Sequence, residues 1–189
     1  MQTTRSFIAI PLSREITKAA VRLIDRLKVS GDGIKWVPTD NLHLTLKFLG
    51  DIETNDIPKI SDVVRGVLEE YEPFDLQFAG TGGLPTLEKT RVVYAGIDDV
   101  SGSLTQIVEN LELDLAELGF KREPRDYVPH LTLGRTRGGS RKASGDVIAR
   151  VEAASSVSLG TMPVDQVLIV GSFLDKQGPT YHVLDTIDL

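Results

Sequence analysis

His43-Leu44-Thr45-Leu46 recurs residue for residue as His130-Leu131-Thr132-Leu133, one copy in each half of the chain. The chain holds 3 histidines, and two of them head this tetrapeptide. Both copies fall in β-rich runs, Leu42–Leu49 and His130–Arg135, where side chains alternate between the two faces of a strand. His43 and Thr45 therefore share one face and Leu44 and Leu46 the other; the second copy divides in the same way. Each strand is expected to bury its leucines in a core and to present a His-x-Thr pair opposite. If an approximate two-fold axis relates the halves, the two polar faces meet across a cleft.

Working outward, Arg5–Pro11 reads as a strand, and Ser13 opens a helix whose apolar residues Ile16, Ala19, Ala20, Leu23, Ile24 and Leu27 follow a 3.6-residue period. Ile34–Val37 is a strand, followed by the turn Pro38–Asn41 and the first motif. Asp56-Ile57-Pro58 starts a second helix. Strands at Phe74–Phe78 and Arg91–Ile97 are separated by the Gly- and Pro-containing stretch Gly80–Pro85. Ser101–Leu118 is a third helix ending at Gly119. Lys142–Ala154 is a fourth, with strands at Val157–Leu159, Val164–Leu174 and Tyr181–Ile187 to finish. Several strand pairs are joined too tightly for a parallel crossover, so antiparallel pairing should dominate an α+β fold. One domain, residues 1–189, is expected.

With 189 residues, 41% hydrophobic and 25% charged, the composition is that of a globular protein. No apolar run is long enough to span a bilayer, and the N-terminus reads as a first strand and not a signal peptide. The 0 cysteines remove thiol nucleophiles, disulfides and thiolate metal sites together. A cytoplasmic protein without a membrane partner is expected. A net charge of -6 argues against a long nucleic-acid footprint, though not against recognition of one chain end. Basic residues do gather at Lys121, Arg122, Arg125, Arg135, Arg137, Arg141 and Lys142, which by themselves read as solvated loops.

Two imidazoles and two hydroxyls suit displacement at phosphorus. One imidazole can take the proton of an attacking water while the other protonates the departing oxygen, because an unperturbed histidine titrates at about 6.5. Thr45 and Thr132 can donate to the non-bridging phosphate oxygens. This arrangement requires neither metal nor cofactor, and the histidines lack the short spacing of a zinc site. His182, without a matching context, reads as structural or surface. Trp36 reads as packing and Asn41 as a turn residue.

These residues resemble the 2H phosphoesterase superfamily, and within it the bacterial and archaeal RNA 2′,3′-cyclic phosphodiesterases, first described as 2′-5′ RNA ligases. The likeness rests on Arg5-x-Phe7-Ile8-Ala9-Ile10-Pro11, on Lys35-Trp36-Val37 with Asn41-Leu42-His43-Leu44-Thr45-Leu46-x-Phe48-Leu49-Gly50, on Pro129-His130-Leu131-Thr132-Leu133-x-Arg135, and on Ser172-x-Leu174 with Gly178-Pro179-x-Tyr181. It implies two pseudo-symmetric lobes of mainly antiparallel sheet, with outer helices around a central cleft. It also implies opening of a terminal 2′,3′-cyclic phosphate to a 2′-phosphate, His43 acting as proton donor and His130 as proton acceptor. The expected partner is an RNA 3′ end or a small nucleotide bearing that cyclic phosphate, and the chain is expected to act as a monomer. Arg135, five places after His130, would point away from the cleft on an unbroken strand; a bulge or strand end at Gly134 can re-aim it to the substrate, as a phosphate clamp or by stacking on the terminal base. Phe7 is a stacking candidate; Phe48, the counterpart of Arg135, reads as core. ATP-independent 2′-5′ ligation, a small cyclic nucleotide as substrate, and a non-catalytic nucleotide- or RNA-binding module remain the alternatives.

Overall fold

The structure, a computed structural model, describes residues 3–138, 142–176 and 178–189. Strand β1 (Thr3–Ile10) leads into helix α1 (Arg14–Leu27), where the Ser13 hydroxyl accepts the Ile16 N–H at 3.2 Å and so satisfies one free donor of the first turn. Strand β2 (Ile34–Trp36) and a 3-10 turn (Thr39–Asn41) precede β3 (Leu44–Glu53) and α2 (Ile57–Leu68). Then come β4 (Phe74–Leu84), β5 (Val92–Asp98), α3 (Ser103–Glu117) and β6 (His130–Thr136). Helix α4 (Gly145–Ala153) starts later than its composition suggests, because Ser144 caps it by accepting the Val147 N–H. Strands β7 (Ser158–Val164), β8 (Gln166–Asp175) and β9 (Gly178–Asp188) complete the order.

All described strand pairs are antiparallel. One sheet runs β3-β1-β8-β9 and the other β2-β6-β5-β4-β7. Read from the motif strands, β3-β1-β8-β9 and β6-β5-β4-β7 have the same pattern, with β2 added outside β6. The lobes are nevertheless not the halves of the chain. Strand β4, from the first half, joins the sheet of β6, and β8 and β9, from the second, join the sheet of β3. The helices cross as well: α1 packs on β7 and α4, whereas α3 packs on β3 and α2. Neither lobe can bury its apolar face without the other half of the chain.

The leucines of both motifs lie in the core as expected, Leu44, Leu131 and Leu133 at 0% exposure. Gly80–Pro85 is not the loop expected from its composition: β4 runs on to Leu84. Glycine is required there by close approach. A Cβ on Gly82 would meet the Tyr94 ring, and one on Gly83 the Thr90 hydroxyl. Among the described residues no helix is long and apolar enough to cross a membrane.

Both motif strands break their alternation at the same offset. Ala9 pairs with Thr45 and Ile8 with Lys47, so Leu46 has no partner on β1. Tyr94 pairs with Thr132 and Val93 with Gly134, so Leu133 has none on β5. Each irregularity turns the next residue, Lys47 or Gly134, toward the interior and the one after, Phe48 or Arg135, outward. Phe48, which read as core, is therefore 64% exposed. Gly134 is held between Ile34 and Trp36, where a Cβ would lie 2.6 Å from the Ile34 Cγ2. Gly134→Ala is expected to prise β2 from β6 and to destabilise the protein by about 1–3 kcal/mol, measured as a lowered urea midpoint at unchanged slope.

Candidate active site

The two imidazoles are held in the same way. His43 Nδ1 lies 2.7 Å from the Asn41 carbonyl, and His130 Nδ1 lies 2.7 Å from the Val128 carbonyl, in each case the carbonyl two residues earlier. A carbonyl can only accept, so each Nδ1 carries the hydrogen and each Nε2 is the nitrogen left for chemistry. Thr45 Oγ1 stands 2.9 Å from His43 Nε2 and can donate to it when the ring is neutral. Asn41 thus does more than turn the chain. Its carbonyl orients His43, and its Nδ2 donates to the Pro179 carbonyl at 2.9 Å, tying the turn to the β8–β9 hairpin.

Strands β3 and β6 are in contact across the molecule. The segment that delivers His130 is fastened to the strand that follows His43. The Tyr127 hydroxyl donates to the Thr45 carbonyl at 3.2 Å, and burial pushes its phenol well up, so it remains a donor. Lys47, almost fully buried, forms an ion pair with Glu112 at 2.7 Å and donates to the Lys121 carbonyl at 3.1 Å. Glu112 in turn accepts the Glu123 N–H at 2.9 Å. Tyr127, Lys47 and Glu112 were not singled out by sequence reasoning; their signal was a lysine set between Leu46 and Phe48 on β3.

Aromatic rings form the wall behind His43. Phe7 stacks on its imidazole with centroids 4.6 Å apart, and Tyr181 meets it edge-on at 5.2 Å. Phe7, expected as a stacking platform, is only 4% exposed, and the ring it stacks on is His43. The exposed aromatic of this wall is Phe48, 6.1 Å from Phe7. On the other side Tyr94 meets His130 edge-on at 5.7 Å. Thr132 and Arg135 pair with Tyr94 and Val92, alternate residues of β5, and so share the face of His130.

Burial lowers the pKa of His43; the Asn41 carbonyl opposes this, and the positive charge of Arg135 adds to it. Arg135 acts in the same sense on Tyr181, whose phenol burial raises. Its field therefore crosses from one sheet to the other. Of the remaining basic residues, Lys121, Arg122 and Arg125 are exposed, Arg137 donates to the Ile34 carbonyl, and Arg141 lies outside the described residues. A cavity of about 500 Å³ beside Asp32, Ile34, Trp36 and Arg137 is lined by neither motif histidine. Trp36 packs there as expected and donates to Asp32 at 2.9 Å. His182 meets Phe173 edge-on and is exposed. Among the described residues no three His, Asp or Glu side chains gather as a metal-holding group.

Comparison with known proteins matches the LigT like Phosphoesterase family twice, over residues 10–94 and 97–181. The chain belongs to this family. The double match, one to each half, agrees with the repeated motif and the mirrored strand orders of this LigT-like phosphoesterase. It is 34% identical over 186 residues to the RNA 2′,3′-cyclic phosphodiesterase of Methanothermobacter thermautotrophicus, covering 98% of each chain. It is 32% identical over 181 residues to the enzyme of that name from Archaeoglobus fulgidus, covering 95% of this chain and 97% of that one. A crystal structure from Thermus thermophilus superposes with a TM-score of 0.79 at 26% identity, over 98% of this chain and 97% of that one. Escherichia coli LigT in complex with 3′-AMP shares the fold, with a TM-score of 0.78 at 22% identity and coverage of 100% and 99%.

Two outcomes are expected. Arg135→Met removes a cation whose field disfavours the imidazolium, so the pKa of His43 should rise, read from the pH titration of its ring proton signals by NMR. Tyr127→Phe should leave the fold intact and lower kcat on a cyclic phosphate by about three- to tenfold with KM little changed, from the loss of one hydrogen bond worth about 1 kcal/mol in alignment.

Proposed function

We propose that this LigT-like phosphoesterase hydrolyses RNA 2′,3′-cyclic phosphate ends to 2′-phosphomonoesters by paired histidine catalysis. The observation that carries this reading is the shared anchoring of the two imidazoles through Nδ1, which leaves an Nε2 from each lobe for proton transfer. The names of the relatives at 34% and 32% identity support the substrate.

In the reaction as drawn, His130 takes a proton from water, and the hydroxide attacks phosphorus. The bond from phosphorus to the 3′ oxygen breaks, and His43 gives its proton to that oxygen. The products are a 2′-phosphate and a free 3′-hydroxyl, with the proton load of the two rings exchanged. Thr45 and Thr132 donate to the non-bridging oxygens, where they stabilise the transition state. Arg135 adds positive charge on the same face. In the free protein, burial and Arg135 favour neutral His43; the anionic cyclic phosphate opposes both and shifts His43 toward the protonated form that acid catalysis needs. The division of roles follows the resemblance to 2H phosphoesterases, since the motifs are identical. Each lobe supplies one imidazole, so the 189-residue chain acts as one unit, and a monomer holds the whole site.

Either His43→Ala or His130→Ala is expected to reduce turnover of a 2′,3′-cyclic phosphate oligonucleotide by about 10²–10⁴-fold with unchanged circular dichroism. Full activity in either variant rejects the pair. Two imidazoles supply both proton transfers, so wild-type turnover should survive EDTA, and the product should be the 2′-phosphate. The pH profile of kcat/KM should fall on both sides. The limb set by loss of the His43 proton should move to higher pH in Arg135→Met, because that substitution raises the His43 pKa.

A further inference from the structure

We infer that Lys35 and Arg135 form a second phosphate site, which holds the phosphodiester upstream of the terminal nucleotide and so selects an RNA chain end over a free cyclic nucleotide. The inference rests on the phosphodiesterase reading and deepens it.

Lys35 on β2 pairs directly with Arg135 on β6. Opposed residues of an antiparallel pair project to the same face, with Cβ atoms about 5 Å apart. Ile34, one place before, is buried in the core, so Lys35 points to the opposite side, the face of His130, Thr132 and Arg135. Both cations are exposed, and among the described residues neither forms an ion pair. Like charges directly opposed on a sheet repel, and among the described residues no paired carboxylate offsets that repulsion. A bound anion would.

Three features place this pair at the cleft. The irregularity at Leu133 turns Arg135 to the histidine face, and its charge acts on His43 and Tyr181 in the other sheet. A Cβ built on Gly178 would lie 3.9 Å from the Lys35 ammonium, so Lys35 reaches the β8–β9 hairpin of the other lobe. In a chain of net charge -6, two adjacent cations stand against the prevailing field. Along β6 at about 3.3 Å per residue, the Lys35–Arg135 pair starts on the order of 15 Å from His130. Lys35 is thus better placed for a charge further along the RNA than for the phosphate between the imidazoles.

The test compares adenosine 2′,3′-cyclic phosphate, its 5′-phosphorylated form and a dinucleotide ending in the same cyclic phosphate. Wild-type kcat/KM should favour the two substrates with an added phosphate, and that preference should weaken with salt. Lys35→Gln should lower the preference ratio by about tenfold, the order expected for one charge-assisted contact, with the salt slope reduced by about 0.7. Lys35→Arg should retain both. No preference in the wild type, or a Lys35→Gln ratio equal to the wild-type ratio, overturns the second site while leaving the phosphodiesterase reading intact. Absence of turnover on all three substrates defeats the phosphodiesterase reading and the second site with it.

Discussion

Strand β4 leaves the half of the chain that carries His43 to join the sheet of His130, while β8 and β9 make the opposite journey. Helices α1 and α3 exchange lobes in the same manner. A motif strand therefore finds its sheet neighbours and its helical cover only when both halves have folded together. This exchange is what brings the two motif strands, β3 and β6, into contact. It also explains why the junction carries specific polar ties and not only apolar packing. The Tyr127 hydroxyl on the Thr45 carbonyl, and the buried Lys47–Glu112 pair with its bonds to the loop before His130, fix one histidine strand relative to the other. A buried ion pair contributes little net stability compared with an apolar replacement, but it tolerates few geometries. The proposed mechanism needs two rings to flank one phosphorus atom, and for it restricting geometry is the useful property.

Electrostatics and packing treat the two motif histidines unequally. His43 is enclosed by Phe7 and Tyr181 and feels Arg135; burial and that charge favour its neutral form, and the Asn41 carbonyl opposes them. His130 has Tyr94 at its edge and stands on the strand that brings Arg135 and, through β2, Lys35. Two sequence-identical motifs thus sit in different surroundings. One wall is aromatic and tightly packed, the other carries the cations. On the proposed mechanism, an anionic substrate between them favours the protonated form of His43, and the cations offset its charge.

The tetrapeptide repeat, the alternation of its side chains and the periodic apolar positions of the helices follow from local rules, and they were legible in the chain alone. So were the buried leucines at Leu44, Leu46, Leu131 and Leu133 and the Ser13 cap, whereas the bulge expected at Gly134 lies one residue earlier, at Leu133. Other features were not legible, because their causes are remote in sequence. Phe48 looked like core because large aromatic residues are usually buried; a register irregularity at Leu46, set by pairing with β1, turned it outward. Gly80–Pro85 looked like a break, but Tyr94 and Thr90 on the facing segment need glycines beneath them, and the strand continues. Phe7 looked free to stack on a base, and the fold placed His43 on its face instead.

By itself, then, the sequence singled out the His and Thr side chains proposed to do chemistry and the face of its strand that each of those four occupies, since a period of two is a property of the extended backbone. Only the tertiary structure decided what stands opposite them. Strand exchange, the irregularities at Leu46 and Leu133, and the union of Lys35 with Arg135 arise from pairing between segments far apart in the chain. Backbone hydrogen bonds of that kind are indifferent to side-chain identity, and so they leave no mark in the order of residues that local reading could find.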